Sequence, residues 1–301
     1  MSKLKGRIYK VLSGFYYIES AGQQYQTRAR GNFRKQGLKP IVGDEVEFVS
    51  HNLTDGMVTK ILPRKNSLQR PPVANIDQVV IVMSAVHPKF SPALLDRFIV
   101  QCEAMKMHPI LYWTKMDQVN DNEQEELKRW RSIYESIGYP VFFGEINQLP
   151  SSRFIEQLKD KTTVLMGQSG VGKSTLINNI NPQFHLETGE ISTSLGRGRH
   201  TTRHVELLKV CDGFLADTPG FSALEIADLS AVELADDFIE FRPLAKHCRF
   251  RGCLHHNEPD CAVKEAVENG EVCAERYDHY LLMLSELQNR RPQYNKRKKS
   301  E

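Results

Sequence analysis

Residues 162 to 180 decide the fold: Thr162-Thr-Val-Leu-Met-Gly-Gln-Ser-Gly-Val-Gly-Lys-Ser-Thr-Leu-Ile-Asn-Asn-Ile180. A short apolar run leads into a glycine-rich turn, and the turn opens a helical segment. Within it, Gly167-Gln168-Ser169-Gly170-Val171-Gly172-Lys173-Ser174 matches G-x-x-x-x-G-K-[ST] without a mismatch, in the strand-to-helix context that the pattern requires. The chemistry is phosphate binding. Glycines let consecutive backbone N–H groups close on phosphate oxygens, Lys173 reaches the β- and γ-phosphates, the Ser174 hydroxyl is a Mg²⁺ ligand, and Thr175 follows at the helix start. A chance glycine-rich turn is the plain alternative, and motif and context together argue against it.

Outward from this loop, apolar strands alternate with helices from about residue 75. Strands are expected at 77–83, 109–113, 140–143, 162–166, 205–210 and 213–216, and helices at 91–107, 121–137, 151–159 and 173–180. That order predicts a parallel sheet covered on both faces. Asp217-Thr-Pro-Gly220, 43 residues after Ser174, fits a second phosphate-sensing loop. There Asp217 holds Mg²⁺ through water and Gly220 offers its N–H to the γ-phosphate, although Asp-x-Pro-Gly is also ordinary turn chemistry. Between the two loops, Leu195-Gly-Arg-Gly-Arg-His200-Thr201-Thr202 is polar and glycine-rich, a switch loop in which Thr201 or Thr202 joins the magnesium shell. The sequence does not choose between the two threonines.

Thr114-Lys115-Met116-Asp117 follows an apolar strand and resembles the guanine-reading motif Asn-Lys-x-Asp. A carboxylate there accepts both the N1–H and the N2 amine of guanine, an arrangement adenine lacks. Thr114 stands where an asparagine amide usually supports the phosphate loop, so base selection is expected to be intact and that support weaker. The element precedes the phosphate loop by 50 residues, whereas ordinary GTPases place it last. A rotated order rebuilds the same site when the original termini lie close in space. It also places residues 221–301 directly after the γ-phosphate sensor.

The 301 residues suit two or three domains. A hydrophobic share of 40% and a charged share of 26% exclude a fibre and a wholly disordered chain. No stretch approaches the ~18 apolar residues of a membrane span, and the first residues lack a secretory apolar core, so a cytoplasmic location is expected. The net charge of +3 hides an uneven distribution. Residues 1–66 hold 12 Lys/Arg against 5 Asp/Glu (+7), residues 286–301 hold 6 against 2 (+4), and the remainder holds 22 against 30 (−8). Basic ends around an acidic middle are the footprint of a polyanion binder, or simply solvated surface.

Residues 6–66 carry short β-like runs, 6–11, 15–18, 24–28 and 44–49, with Tyr, Phe, Arg and Lys interleaved. They predict a small barrel of the oligonucleotide-binding type, its aromatics serving either as stacking platforms or as core. Helical segments at 230–240, 261–269 and 274–289 bracket a cysteine cluster. Cys248, Cys253, His255 and Cys261 form a closed Cys₃His set suited to structural Zn²⁺, with reduced cysteines packed as small hydrophobes as the alternative. Cys102 and Cys211 read as core. No heptad or exposed apolar stripe calls for a partner chain, and a monomer is expected.

These residues together resemble one family, the circularly permuted, ribosome small-subunit-dependent GTPases of bacteria called RsgA, YjeQ or YloQ. The carriers are Arg70-Pro-Pro72, Asn75-Ile-Asp77, Leu94-Leu-Asp-Arg-Phe98, Gly167 to Thr175, Arg199-His-Thr-Thr202, Asp217-Thr-Pro-Gly-Phe221 and Cys-x4-Cys-x-His-x2-Glu-Pro-x-Cys with Glu258-Pro259. The resemblance implies an OB-fold barrel over 1–66, a permuted phosphate-loop GTPase domain over 67–223, and a mainly helical zinc-binding domain with a basic tail over 224–301. It implies GTP with Mg²⁺, one structural Zn²⁺, and a role on the small ribosomal subunit, with barrel and zinc module on its rRNA. The chain departs from the pattern at the fifth GTPase motif, ordinarily a Ser-Ala-containing turn near the base: Phe143-Gly-Glu-Ile146 occupies that region, and no base contact is expected from it. Phe221 stands where many GTPases carry a water-orienting glutamine, so intrinsic hydrolysis is expected to be slow. His200 is the candidate to hold the attacking water, or else a switch histidine touching RNA or solvent. Two rivals are an RNA-binding assembly factor in which GTP only sets conformation, and an ATP-dependent phosphate-loop kinase.

Overall fold

The computed structural model describes residues 3–31, 33, 37–69, 71–145, 148–184, 206–217 and 229–289. The chain divides into two compact units: Met1–Ser91 with Met105–Ala223, and Pro92–Ala104 with Leu224–Glu301.

The first unit begins with β1 (Leu4–Leu12), β2 (Phe15–Ser20), β3 (Gln23–Ala29), β4 (Glu45–Ser50) and β5 (Gly56–Ile61). Their order β1-β2-β3-β5-β4 closes through a further β4–β1 pairing, with β3 and β5 parallel, which makes a five-stranded barrel. Alternating side chains fill it: Ile8, Ile18, Val46, Phe48 and Val58 are fully buried. β5 is absent from the sequence expectation because its inward positions are Gly56 and Val58, too little apolar signal for alternation to register.

A hairpin, β6 (Ser67–Gln69) and β7 (Pro72–Ala74), leads out of the barrel. Asn75 turns the chain with φ +56°, donates to the Gly43 carbonyl at 2.9 Å and accepts the Lys65 N–H at 3.0 Å. Asp77 then accepts the Thr162 N–H at 2.7 Å and the Lys65 ammonium at 2.5 Å. The Asn75-Ile-Asp77 motif therefore fastens the barrel exit to the strand that feeds the phosphate loop. Arg7 of β1 reaches the same place, donating to Thr162 Oγ1 at 2.7 Å.

β8 (Gln78–Ser84), β9 (His108–Thr114), β10 (Val141–Phe143), β11 (Thr162–Met166), β12 (Glu206–Val210) and β13 (Gly213–Asp217) form the sheet that carries the site. Order β10-β9-β8-β11-β13 is parallel throughout, and all seven residues of β8 are buried, as expected where helices cover both faces. The expectation of a wholly parallel sheet fails at one strand. β12 runs antiparallel to β13 in a hairpin whose turn residues, Cys211 and Asp212, both have positive φ. Cys211, read as core, is a half-buried turn residue, whereas Cys102 is fully buried. β12 also meets β1 at Lys10 and Glu206, whose side chains pair at 2.7 Å, so the barrel and the sheet share hydrogen bonding.

The second unit packs helices Ala231–Asp236, Phe241–Ala245, Ala262–Glu268 and Ala274–Gln288 with Pro92–Ala104. Phe238, Phe241 and Tyr280 meet at 5.2–5.3 Å in its centre. Helix Pro92–Ala104, expected among the helices of the central sheet, clusters here because its Asp96 is held from Ala274–Gln288. The Arg276 guanidinium bonds Asp96 and, at 2.6 and 3.1 Å, Glu240, while His279 Nδ1 lies 2.6 Å from the second Asp96 oxygen.

Candidate functional site

The phosphate loop needs its glycines for two distinct physical reasons. Gly167 has φ +149°, and a Cβ there would lie 2.2 Å from the Val82 carbonyl oxygen. Gly172, at φ +98°, starts helix Lys173–Ile180 with no side-chain cap, so the first helical N–H groups keep their bonding capacity. Val171 is buried as the anchor between them, while Gln168, Ser169 and Gly170 are exposed. The Lys173 ammonium folds back on the loop, donating to the carbonyls of Gly167 at 2.8 Å and Gln168 at 2.6 Å.

Thr114 closes β9 beside this loop and donates to the Val171 carbonyl at 2.5 Å. The threonine hydroxyl thus supplies a support that the sequence reading expects to be weakened, and it does so through a shorter side chain on a strand already in contact. Lys115 takes the left-handed conformation, φ +59°, and its ammonium donates to the carbonyls of Gly170, at 2.9 Å, and His87. Met116 and Asp117 follow on a single helical turn, Met116–Gln118, with Asp117 exposed. The base-reading segment and the phosphate loop, 55 to 57 residues apart in sequence, are therefore bonded to one another.

A cavity of 340 Å³ lies between them. Thr114, Lys115, Gly172 and Thr175 line it, and so do residues the sequence reading did not assign: Tyr112, Gly144, Glu145, Leu176, Asn178 and Asn179. Gly144 is positioned by its backbone, donating to the Trp113 carbonyl at 2.8 Å and accepting from the Met116 N–H at 3.3 Å. A signal was present in the sequence for Gly144 and Glu145, the departure from Ser-Ala after β10; none marked Tyr112. Asp217 ends β13. Gly220, Thr201, Thr202, His200 and Phe221 lie outside the described residues, as does the tail from residue 290.

In the second unit, Cys248, Cys253, His255 and Cys261 bring their ligand atoms within 4.8 Å of one another. Cys248 Sγ lies 3.9 Å from Cys261 Sγ, and His255 Nδ1 lies 3.6 and 3.4 Å from those two sulfurs. Tetrahedral ligands at the usual Zn–S and Zn–N lengths of about 2.0–2.3 Å have edges of roughly 3.5–3.8 Å, so the set fits that ion, and the sulfurs are far beyond disulfide length. The surrounding chain is built to hold the donors. Gly252 and His255 have positive φ, Glu258 accepts the N–H groups of Leu254 and His256 at 2.8 and 3.0 Å, and the Tyr277 hydroxyl donates to the His255 carbonyl at 2.6 Å. Burial raises the Cys253 thiol to about 12 and lowers the imidazole of His255. Buried thiols close together resist ionisation; a bound divalent cation reverses that preference.

Fold and site together define a phosphate-loop protein in which the segment Thr114 to Asp117 precedes the phosphate loop and is bonded to it. The RsgA GTPase family model matches residues 61–227, and the RsgA N-terminal domain model matches residues 5–58. The chain is 52% identical over 298 residues to the small ribosomal subunit biogenesis GTPase RsgA of Enterococcus faecalis, covering 99% of this chain and 100% of that one. It is likewise 52% identical to an RsgA of Listeria innocua over 292 residues, 97% of this chain and 100% of the relative. Two solved structures superpose closely. YloQ, described as a circularly permuted GTPase, gives a TM-score of 0.84 at 42% identity over 97% of this chain and 98% of that one. YjeQ from Thermotoga maritima gives 0.85 at 35% identity over 96% and 100%. The chain belongs to the RsgA GTPase family and is a GTP-hydrolysing enzyme. The kinase alternative is set aside.

Proposed function

We propose that this GTPase acts on the small ribosomal subunit in its late maturation, in the cytoplasm; the names of its relatives indicate small-subunit biogenesis for them. The observation that carries the nucleotide site is the pair of bonds from Thr114 and Lys115 to the phosphate-loop carbonyls, which hold base-reading and phosphate-binding segments at one cavity. In this reading Asp117 accepts from guanine, with Thr114, Lys115 and Met116 shaping its turn. The backbone of Gly167 through Thr175 cradles the phosphates, and Lys173 exchanges its two loop carbonyls for phosphate oxygens. Ser174 and Asp217, with Thr201 or Thr202, hold Mg²⁺, which when bound neutralises charge developing on the phosphates. Gly220 offers its N–H to the γ-phosphate. His200 holds the attacking water as a neutral imidazole, a role Phe221 cannot fill.

The three segments 1–66, 67–223 and 224–301 take separate tasks: rRNA contact, nucleotide turnover, and rRNA contact again through a zinc-held module and basic tail. Cys248, Cys253, His255 and Cys261 hold the zinc, which fixes the loop between the helices rather than reacting. Positive charge near the ends adds sequence-independent attraction to RNA phosphates. GTP hydrolysis by the purified monomer, measured with and without small ribosomal subunits over a salt series, tests this. Slow turnover alone, stimulation by subunits, and loss of stimulation at high salt are expected; an equal rate with and without subunits refutes the ribosomal part.

A further inference from the structure

The cavity wall formed by β9 carries a polar group that the phosphate-loop chemistry does not use. Tyr112 projects on the same face of β9 as Thr114, two residues along. It is 2% exposed, and its ring leans on Phe154 with centroids 4.7 Å apart. Tyr112 lines the cavity, and its hydroxyl makes no hydrogen bond to a described residue. Burial raises the phenol to about 12, so it keeps its proton near neutral pH.

Opposite stands Gly144. A Cβ built there would lie 2.3 Å from Tyr112 Oη and 2.6 Å from Cε1. Gly144 is not among the glycines with positive φ, so it is the missing side chain, not backbone freedom, that matters at this position. The Tyr112 hydroxyl therefore fills the volume a residue-144 side chain would take. Here the turn gives up its side chain and the neighbouring strand brings a hydroxyl into the same space.

We infer that the Tyr112 hydroxyl contacts the nucleotide in this cavity, donating a hydrogen bond to the O6 carbonyl of guanine, which neighbours the N1–H that Asp117 accepts. The inference rests on the guanine-nucleotide reading of the site. A phenol also accepts hydrogen bonds, so toward the N6 amine of adenine it would turn round. Tyr112 therefore strengthens binding of the base, while Asp117 remains the group that discriminates.

Tyr112→Phe removes one oxygen and leaves the ring on Phe154. Calorimetry with GDP is expected to show about 3- to 10-fold weaker binding, the range of one neutral hydrogen bond. The melting temperature of the nucleotide-free protein should not fall, since the oxygen bonds no described residue. With 6-thio-GDP, whose sulfur is a weak acceptor, the gap between wild type and variant should shrink to less than about 2-fold. Equal GDP affinity for the two proteins, a gap that persists with 6-thio-GDP, or a variant that melts lower without nucleotide overturns the inference. In those cases the site reading survives, provided wild type still prefers GDP to ADP and Asp117→Asn abolishes that preference. A wild type without the preference sinks the site reading and the inference together.

Discussion

Replacing Arg276 by Met isolates the charge network at the heart of the second unit. Arg276 is 1% exposed and Asp96 fully buried, and the guanidinium also holds Glu240 through two hydrogen bonds. Met keeps most of the alkyl stem, so packing against the Phe238 ring, 5.2 Å from the guanidinium carbon, changes little. What is lost is the cation between two carboxylates. Removing one partner of a buried pair costs about 3–5 kcal/mol, because the other charge stays desolvated. His279, 2.6 Å from Asp96, offsets part of this, which sets the expectation near the lower end, about 3 kcal/mol. With a urea slope of about 1 kcal/mol per molar for a unit of this size, the midpoint falls by roughly 3 M. The two units have separate reporters. Both tryptophans, Trp113 and Trp130, lie in the first unit, while the buried thiols Cys253 and Cys261 lie in the second. Pulsed thiol labelling in urea, read by mass spectrometry, should show the second unit opening early while tryptophan fluorescence keeps its midpoint. A labelling midpoint displaced by less than about 1 M, or an equal displacement of the fluorescence midpoint, refutes the reasoning.

Further expectations follow from the same contacts. Thr114→Val removes the hydroxyl bonded to the Val171 carbonyl without changing shape, and GTP binding should weaken about 5- to 20-fold by calorimetry; unchanged binding would show that the loop needs no such support. Asp237 is buried among Glu103, Asp236, Glu233 and Arg242, its Oδ2 has no partner among the described residues, and burial raises its carboxyl to about 7. The folded state therefore holds a proton the unfolded chain has released, and stability contributed by this group declines as pH rises from about 4 to about 7. Asp237→Asn should raise Tm at pH 8 and leave it nearly unchanged at pH 4; a pH-independent effect contradicts this. Elemental analysis should find about one zinc per chain, and stripping it with a strong chelator should expose Cys248, Cys253 and Cys261 to labelling and melt the second unit. Labelling that is indifferent to the chelator would remove the metal from the account.

How far the residues announce the structure depends on the distance over which they act. The strand, loop and helix of Thr162 to Ile180 are legible because each is specified locally, by an apolar run, by obligatory glycines and by an uncapped helix start. The Cys₃His set is legible for the same reason, its donors lying within 14 residues. The strand directions are not. Nothing local says that β12 turns back on β13, beyond a two-residue turn at Cys211 and Asp212 lacking the usual asparagine or glycine. Helix Pro92–Ala104 is equally opaque, since the partner that fixes Asp96 is Arg276, 180 residues away. Thr114 shows the limit of motif reading. By comparison with asparagine it lacks an amide, yet in place its hydroxyl finds the loop carbonyl.

The central claim is one guanine site assembled from segments in rotated order, and it stands or falls on Asp117. Isothermal calorimetry of Asp117→Asn with GDP and xanthosine diphosphate tests it directly. The amide loses the charged acceptor for the N1–H and N2 amine of guanine but can donate to the C2 carbonyl of xanthine. GDP should therefore bind at least about 100-fold more weakly and xanthosine diphosphate should become the preferred ligand. A variant that still prefers GDP, with affinity near that of the wild type, would contradict the account.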